Sequence, residues 1–258
     1  MARRAYHDSR TGANLTPRMR EAAARAAEIP TVPWETFVEA LRNEWEQGEP
    51  MTLLGRTNSG KTTAAIQILD VRRYVVAILT KRKDDLFPRF RKHGYKMLKP
   101  GDDWPEHAVA PRVAMHISPS GLSRADSRYQ AALIRETLSE VWEQGNWTLY
   151  LDEIAQLSDL LRLDTELRSL WKEARSSGVT IVAGTQRPSR VPIEAYSQPR
   201  FLLLWRTNDR DQLKRLGDMN AVDPDPVRVA VAGLNEHEIL VVDTYTDDLV
   251  RTTARKLR

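Results

Sequence analysis

An α/β fold with a mostly parallel central sheet is what this sequence predicts, and three observations carry the prediction. A glycine-bounded octapeptide lies between a short apolar run and a helix-like stretch, a second apolar run ends in paired carboxylates, and strand-like and helix-like segments alternate around both. Such alternation joins neighbouring strands through crossover helices, so the strands run parallel and are covered on both faces. At 258 residues, 41% of them hydrophobic and seven of them Trp, the chain can bury one large core. The expected organisation is a flexible N-terminus with a helical preface over 1–48, a core over 49–220, and a two-stranded C-terminal extension over 221–258.

Each element has its own signal. Residues 1–16 are polar, with Gly, Asn and Thr, and are expected to be poorly ordered. Pro17 to Ile29 reads as a helix rich in Ala, Arg and Glu, and Pro30 to Pro33 break it. A second helix starts at Pro33, buries Trp34, Phe37, Leu41 and Trp45 at spacings of three to four residues, and ends at Gly48. Met51 to Leu54 is a strand, and Thr63 to Leu69 a helix. The continuous apolar run Tyr74 to Leu79, bounded by charge, suits a strand buried on both faces. Residues 81–110 mix Pro88, Pro100, Gly101 and Pro105 with many charges and read as an irregular excursion. A short strand, Arg112 to Ile117, leads through a Ser-Pro-Ser-Gly turn into a long helix, Ser123 to Gln144. Trp147 to Glu153 is a strand, followed by a helix from Asp159 to Arg175 with Leu160, Leu163, Leu167, Leu170 and Trp171 on a helical period. A strand over Val179 to Gly184, another over Phe201 to Arg206 and a helix over Asp209 to Met219 follow. Glu236 to Asp243 and Asp247 to Ala254 read as two strands joined by a polar turn at the sheet edge.

The octapeptide Gly55-Arg56-Thr57-Asn58-Ser59-Gly60-Lys61-Thr62 has the spacing and flanks of a phosphate-binding P-loop. Glycines at both ends let successive N–H groups curl inward around an anion, and the helix that follows adds the positive end of its dipole. Lys61 then reaches the β and γ phosphates, the Thr62 hydroxyl ligates Mg²⁺, and Thr63 completes the nucleotide-contacting set. The bland alternative is a glycine-rich turn between a strand and a helix. At the end of the strand over 147–153, Asp152 is placed near Mg²⁺ and its bound water, and Glu153 is placed to polarise an attacking water. The alternative for this pair is that it caps the next helix, because carboxylates favour a helix N-terminus.

Composition excludes several classes. With no cysteine, disulfides and thiolate metal sites are ruled out, and the five scattered histidines show no zinc-ligand spacing. The basic N-terminus has no apolar run behind it, and no segment approaches the ~20 apolar residues needed to cross a bilayer, so a soluble, cytoplasmic protein without membrane insertion is expected. A net charge of +4 leans toward a polyanionic partner. Basic clusters occur at Lys81-Arg82-Lys83 through Lys99, at Arg200 to Arg215 and at Arg251 to Arg258, although a solvated face is the simpler account of any one of them.

The string Glu173-Ala174-Arg175-Ser176-Ser177-Gly178, continued by the strand to Gly184 and by Thr185-Gln186-Arg187-Pro188-Ser189, resembles the third motif of the FtsK/HerA superfamily of DNA-pumping ATPases. With the two motifs before it, the resemblance covers about Pro50 to Met219. It implies a RecA-like core of the additional-strand type, with the strand ending in Gln186 between the P-loop strand and the strand ending in Asp152. It implies ATP with Mg²⁺, although no base-reading motif separates ATP from GTP. Gln186 is implied beside the γ phosphate, the alternative being a strand-end residue facing solvent. Members generally work as rings with nucleotide at the subunit boundary, where a neighbour supplies an Arg in trans. Arg175 is the first choice for that finger, with Arg206 and Arg187 in reserve, although the helix dipole alone favours a cation there.

The membrane spans and winged helix of FtsK, the β-barrel of HerA helicases and the anchor of conjugative coupling proteins are not expected to fit in this chain. The remaining bare motor resembles the genome-packaging ATPases of double-stranded DNA viruses. The implied function is a homo-oligomeric, ATP-driven translocase of double-stranded DNA, seated on a capsid portal or membrane-vertex protein, in the host cytoplasm or the virion. The basic excursion after Leu79 is the pore candidate. The alternatives are a HerA-like helicase or end-processing motor, and an ATP-dependent switch for a protein partner that never grips nucleic acid.

Overall fold

The computed structural model describes residues 16–82, 86–173, 175–187, 190–216 and 223–256. The expected disorder of the first fifteen residues, Lys83, Ala174, Pro188, Ser189, the end of the helix read to Met219, and Arg258 lie outside the described residues.

The described residues form one nine-stranded sheet: β1 (Met51–Leu54), β2 (Val75–Leu79), β3 (Lys96–Leu98), β4 (Arg112–His116), β5 (Thr148–Leu151), β6 (Thr180–Thr185), β7 (Phe201–Trp205), β8 (Glu238–Asp243) and β9 (Asp248–Thr253). Their spatial order is β3-β4-β2-β5-β6-β1-β7-β8-β9. β3 through β7 in that order pair parallel, and β8 and β9 close the edge as an antiparallel hairpin, as the sequence predicts. β6 lies between β1 and β5, the order that the third motif implies.

Two apolar layers cover the sheet, and strand alternation sorts residues between them. In β2, Val76 and Ile78 join one layer while Val75, Ala77 and Leu79 join the other. The helices α1 (Pro17–Ala27) and α2 (Trp34–Glu44) divide in the same way: Ala26 packs in the first layer, and Trp34, Phe37 and Leu41 pack in the second. α1 begins where Thr16 accepts a hydrogen bond from the Met19 amide, with Pro17 in the first turn, where its missing N–H costs nothing. Its exposed face reaches the C-terminal part of the chain through Arg18–Asp225 at 2.5 Å and Arg25–Asp223 at 2.6 Å. Val32 and Arg251 exchange backbone hydrogen bonds with this segment as well, Val32 N–H donating to Arg251 O and Arg251 N–H to Pro30 O, both at 2.8 Å.

Three readings need correction. The excursion over 81–110 contains α4 (Leu86–Lys92) and the edge strand β3; Leu86 and Phe90 pack into the second apolar layer and Leu98 into the first. These elements, seven and three residues long, are too short to show a period, and four of their ten residues are cations. The helix read from Asp159 is instead a π-helical turn, Gln156–Leu160, followed by α6 (Asp164–Glu173). The break falls at Arg162, whose φ is 54°, and it leaves Leu160 68% exposed while Leu157, Leu161 and Leu163 are buried. The extension read over 221–258 also contains a helix, Pro224–Gly233, which was not foreseen; Pro224 and Pro226 sit in its first turn, where proline is tolerated, behind the Asp223 cap. The long helix α5 (Arg124–Gln144) matches its prediction and opens with a capping box between Ser123 and Asp126.

Candidate nucleotide site

In a parallel sheet the loops at the strands' C-terminal ends gather at one edge, and here the ends of β1, β2, β5, β6 and β7 deliver the motifs to that edge. After β1 the chain turns through Asn58 at φ 61° and Gly60 at φ 101° into α3 (Lys61–Leu69). Gly60 holds the left-handed conformation at the helix start without a side-chain cap, so the first-turn N–H groups of α3 are left for a ligand. Lys61 folds back over the loop and donates to Gly55 O at 2.6 Å and Arg56 O at 2.7 Å. A second glycine brings the strand ends together: a Cβ on Gly184 would lie 2.5 Å from Asp152 O, so β6 approaches β5 closely only because none is present.

The two carboxylates are held differently. Asp152, 7% exposed, accepts from Lys81 Nζ at 2.5 Å on one oxygen and from Tyr150 OH at 3.0 Å on the other. Glu153 accepts from Thr185 Oγ1 at 3.0 Å, from the Gln186 amide at 3.2 Å and from the Ala155 amide at 3.3 Å. Burial raises the Glu153 pKa, against the pull of the Thr185 and Gln186 hydrogen bonds and the Lys61 charge. Burial lowers Lys61 to about 8, opposed by Glu153 and Asp152 and reinforced by the Lys81 ammonium. Gln186 accepts from Thr57 Oγ1 at 2.6 Å, tying the third motif to the P-loop.

These groups surround a cleft of about 620 Å³ whose walls include Thr57 to Thr63, Lys81, Asp152 and Gln186. That volume lies in the usual range for small-molecule sites. A nucleoside triphosphate with a divalent cation fits the donor set: an uncapped helix start and an ammonium for phosphate, with the Thr62 hydroxyl and the Asp152 carboxylate as hard oxygen donors. Ser59 Oγ and Trp205 Nε1, both buried beside the loop, have no hydrogen-bond partner among the described residues, as a site awaiting a polar ligand requires.

The predicted residues 55–63, Asp152, Glu153 and Gln186 are therefore brought together. Arg175 is not. It is exposed at the opposite edge, beyond the N-terminal end of β6, with its backbone against Gly48. Arg206 lies on the nucleotide edge, in a recess of about 470 Å³ behind the P-loop, and Arg187 is exposed just past Gln186. Lys81 and Arg89, from the basic run named as the pore candidate, line the cleft.

Sequence reading placed Lys81 only in the pore candidate and assigned no part in the nucleotide site to it, to Trp205, to His237 or to the chain around Thr253 to Lys256, all of which line the cleft. His237 meets the P-loop directly, its Nδ1 lying 3.1 Å from Ser59 O. No local motif marks these residues: Lys81 comes from the end of β2 and Trp205 from β7, and the others arrive because the C-terminal hairpin docks beside β7.

No family model matches the sequence, and no curated protein matches it. Solved structures do. The genome-packaging NTPase B204 from Sulfolobus turreted icosahedral virus 2, in complex with ATP-gammaS, is similar at TM-score 0.58 and 14% identity, over 82% of this chain and 99% of that one. The two chains share a fold. The DNA-packaging ATPase B204 from Sulfolobus turreted icosahedral virus matches at TM-score 0.59 and 13% identity, over 83% and 100%. VirB4 of Thermoanaerobacter pseudethanolicus matches at 0.63 and 12%, over 81% and 90%. The fold shared with these neighbours is the mostly parallel α/β fold that the sequence predicts.

Proposed function

We propose that this chain is an ATP-hydrolysing motor that translocates double-stranded DNA, of the genome-packaging kind. One observation carries the reading: hydrogen bonds run from Thr57 in the P-loop to Gln186, and from the Gln186 amide to Glu153, so three motifs far apart in sequence meet around one cleft. The fold shared with B204 supports it.

In this mechanism the N–H groups of 55–62 and the start of α3 bind the phosphates, and Lys61 leaves Gly55 O and Arg56 O for the β and γ oxygens. Magnesium would be held by Thr62 and Asp152, where it would neutralise charge on the phosphates. Glu153, released from Thr185 and the Gln186 amide, accepts a proton from the attacking water, and a desolvated carboxylate suits that task because its proton affinity is raised. Gln186, already bonded to the P-loop, reads whether the terminal phosphate is present. Arg175 lies at the edge away from its own cleft, so it serves a neighbour's nucleotide in a homo-oligomeric ring. Exposed Lys and Arg side chains hold DNA through its phosphates, largely without regard to sequence.

The test is ATP hydrolysis with and without long linear duplex DNA over a salt series, with Lys61→Ala as the control. Stimulation that fades with rising salt and vanishes in Lys61→Ala is the expected outcome. Hydrolysis indifferent to any duplex would replace the motor with an ATP-dependent protein switch.

A further inference from the structure

Lys81 stands two residues past the end of β2, where it faces the carboxylate at the end of the neighbouring β5. Its ammonium donates to Asp152 at 2.5 Å, while Tyr150 OH takes the other oxygen, so both oxygens of this acid are engaged. The two partners differ in freedom: the Lys81 side chain is 42% exposed and that of Asp152 is 5% exposed. The acid is fixed and the cation can leave. Lys81 also lines the cleft together with Lys61 and Thr62, and its charge is felt at Lys61.

A carboxylate that serves a magnesium-bound water needs an acceptor oxygen open toward the metal, and here Lys81 holds it. A buried carboxylate left without a cation is costly, so the exchange needs one cation to arrive as the other departs. The flexible four-carbon stem of lysine, carrying a compact charge, suits a short move between two anions in one cleft.

We propose that Lys81 substitutes for the divalent cation at Asp152 while the cleft holds no nucleotide, and transfers to the terminal phosphate when the nucleotide and metal enter. This inference rests on the reading of the cleft as an ATP site. It makes Lys81 a gate on metal binding and a charge-stabilising group on the phosphate, two roles that no motif assigns to it.

The experiment measures binding of the non-hydrolysable analogue AMPPCP by calorimetry, from EDTA through a magnesium series, for the wild type, Lys81→Ala, Lys81→Met and Lys81→Arg, with hydrolysis measured in parallel. Removing the ammonium is expected to lower the magnesium concentration at half-maximal binding about tenfold, to weaken binding in EDTA, and to reduce kcat about ten- to a hundredfold with little change in KM. Lys81→Arg keeps the charge and is expected to stay nearer the wild type in the magnesium midpoint. Melting curves establish that the variants fold, and Lys81→Met retains the apolar stem if Lys81→Ala does not fold. An unchanged or raised magnesium midpoint in a folded variant overturns the proposed role of Lys81 while leaving the ATP reading intact. A wild type that binds no AMPPCP at any magnesium concentration overturns the ATP reading, and this inference with it.

Discussion

The two edges of the central sheet are built on opposite principles. At the C-terminal edge of the parallel strands, charged groups rest on replaceable partners: Lys61 on loop carbonyls, Glu153 on a hydroxyl and amides, and Asp152 on a half-exposed lysine and the Tyr150 hydroxyl. At the N-terminal edge polar side chains are tied to one another and to backbone groups. Arg200 donates to Glu49 at 2.8 Å, with both side chains nearly buried, and its other arm lies 3.5 Å from Asp243. The Gly48 amide donates to Thr180 Oγ1 at 2.7 Å, and Gln47 donates to the Trp147 and Gly178 carbonyls. One edge is arranged to exchange partners and the other to keep them. Arg175 is an exposed cation mounted on the rigid edge, next to Gly48.

The largest expected effect crosses that divide. If Arg175 is the finger, Arg175→Ala should lower turnover by about a thousandfold or more in the assembled protein while ATP binding stays near the wild type. Mixing the variant into wild-type assemblies should poison them beyond simple dilution. Full activity in Arg175→Ala would leave the N-terminal edge purely structural and move the finger to Arg206 or Arg187. Next in size is Glu153→Gln, expected to cost about a hundred- to ten-thousandfold in kcat with nucleotide affinity retained. Equal losses in binding and turnover would mean that Glu153 supports the loop and does not activate water.

The same contrast explains which parts were legible in the sequence. The P-loop, the Asp152–Glu153 pair and Gln186 could be read because their chemistry needs particular residues at fixed offsets from strand ends. The place of β6 between β1 and β5 followed from the resemblance that the motifs carry, and long apolar runs such as Val75 to Leu79 located buried strands directly. Lys81 could not be read as a site residue, since its role depends on β2 and β5 lying side by side although they are remote in sequence. His237 and Thr253 reach the cleft only because the C-terminal hairpin docks on β7. The π-helical turn before α6 was hidden because Leu160 and Leu163 keep a helical spacing in sequence while the backbone breaks between them.

At the rigid edge the expected effects are on stability. Glu49→Ala leaves the buried Arg200 guanidinium with Asp243 as its one remaining carboxylate among the described residues, beside the Glu44 carbonyl, and removes the acceptor of the Glu46 amide. Loss of one partner from a buried pair typically costs about 3–5 kcal/mol, which a denaturant midpoint would register at once. Replacing a group at the exchanging edge should cost the fold far less: Thr57→Val removes one partly exposed hydroxyl and should change stability by about 1 kcal/mol at most. If the two substitutions destabilise the fold equally, the distinction between the edges fails.

The smallest effect is the most discriminating. Gln47→Ala removes donors to two carbonyls, but Trp147 O also accepts from the Thr180 amide at 2.9 Å, so only Gly178 O loses a partner. The expected cost is about 1 kcal/mol. Gly178, however, closes the turn that begins at Arg175, donating its amide to Arg175 O at 3.1 Å. Loosening that turn should therefore reduce turnover of the assembled protein by more than the change in stability accounts for, and leave ATP binding untouched. A kcat that merely follows the folded fraction would show that the turn holds the sheet edge together and does not aim Arg175.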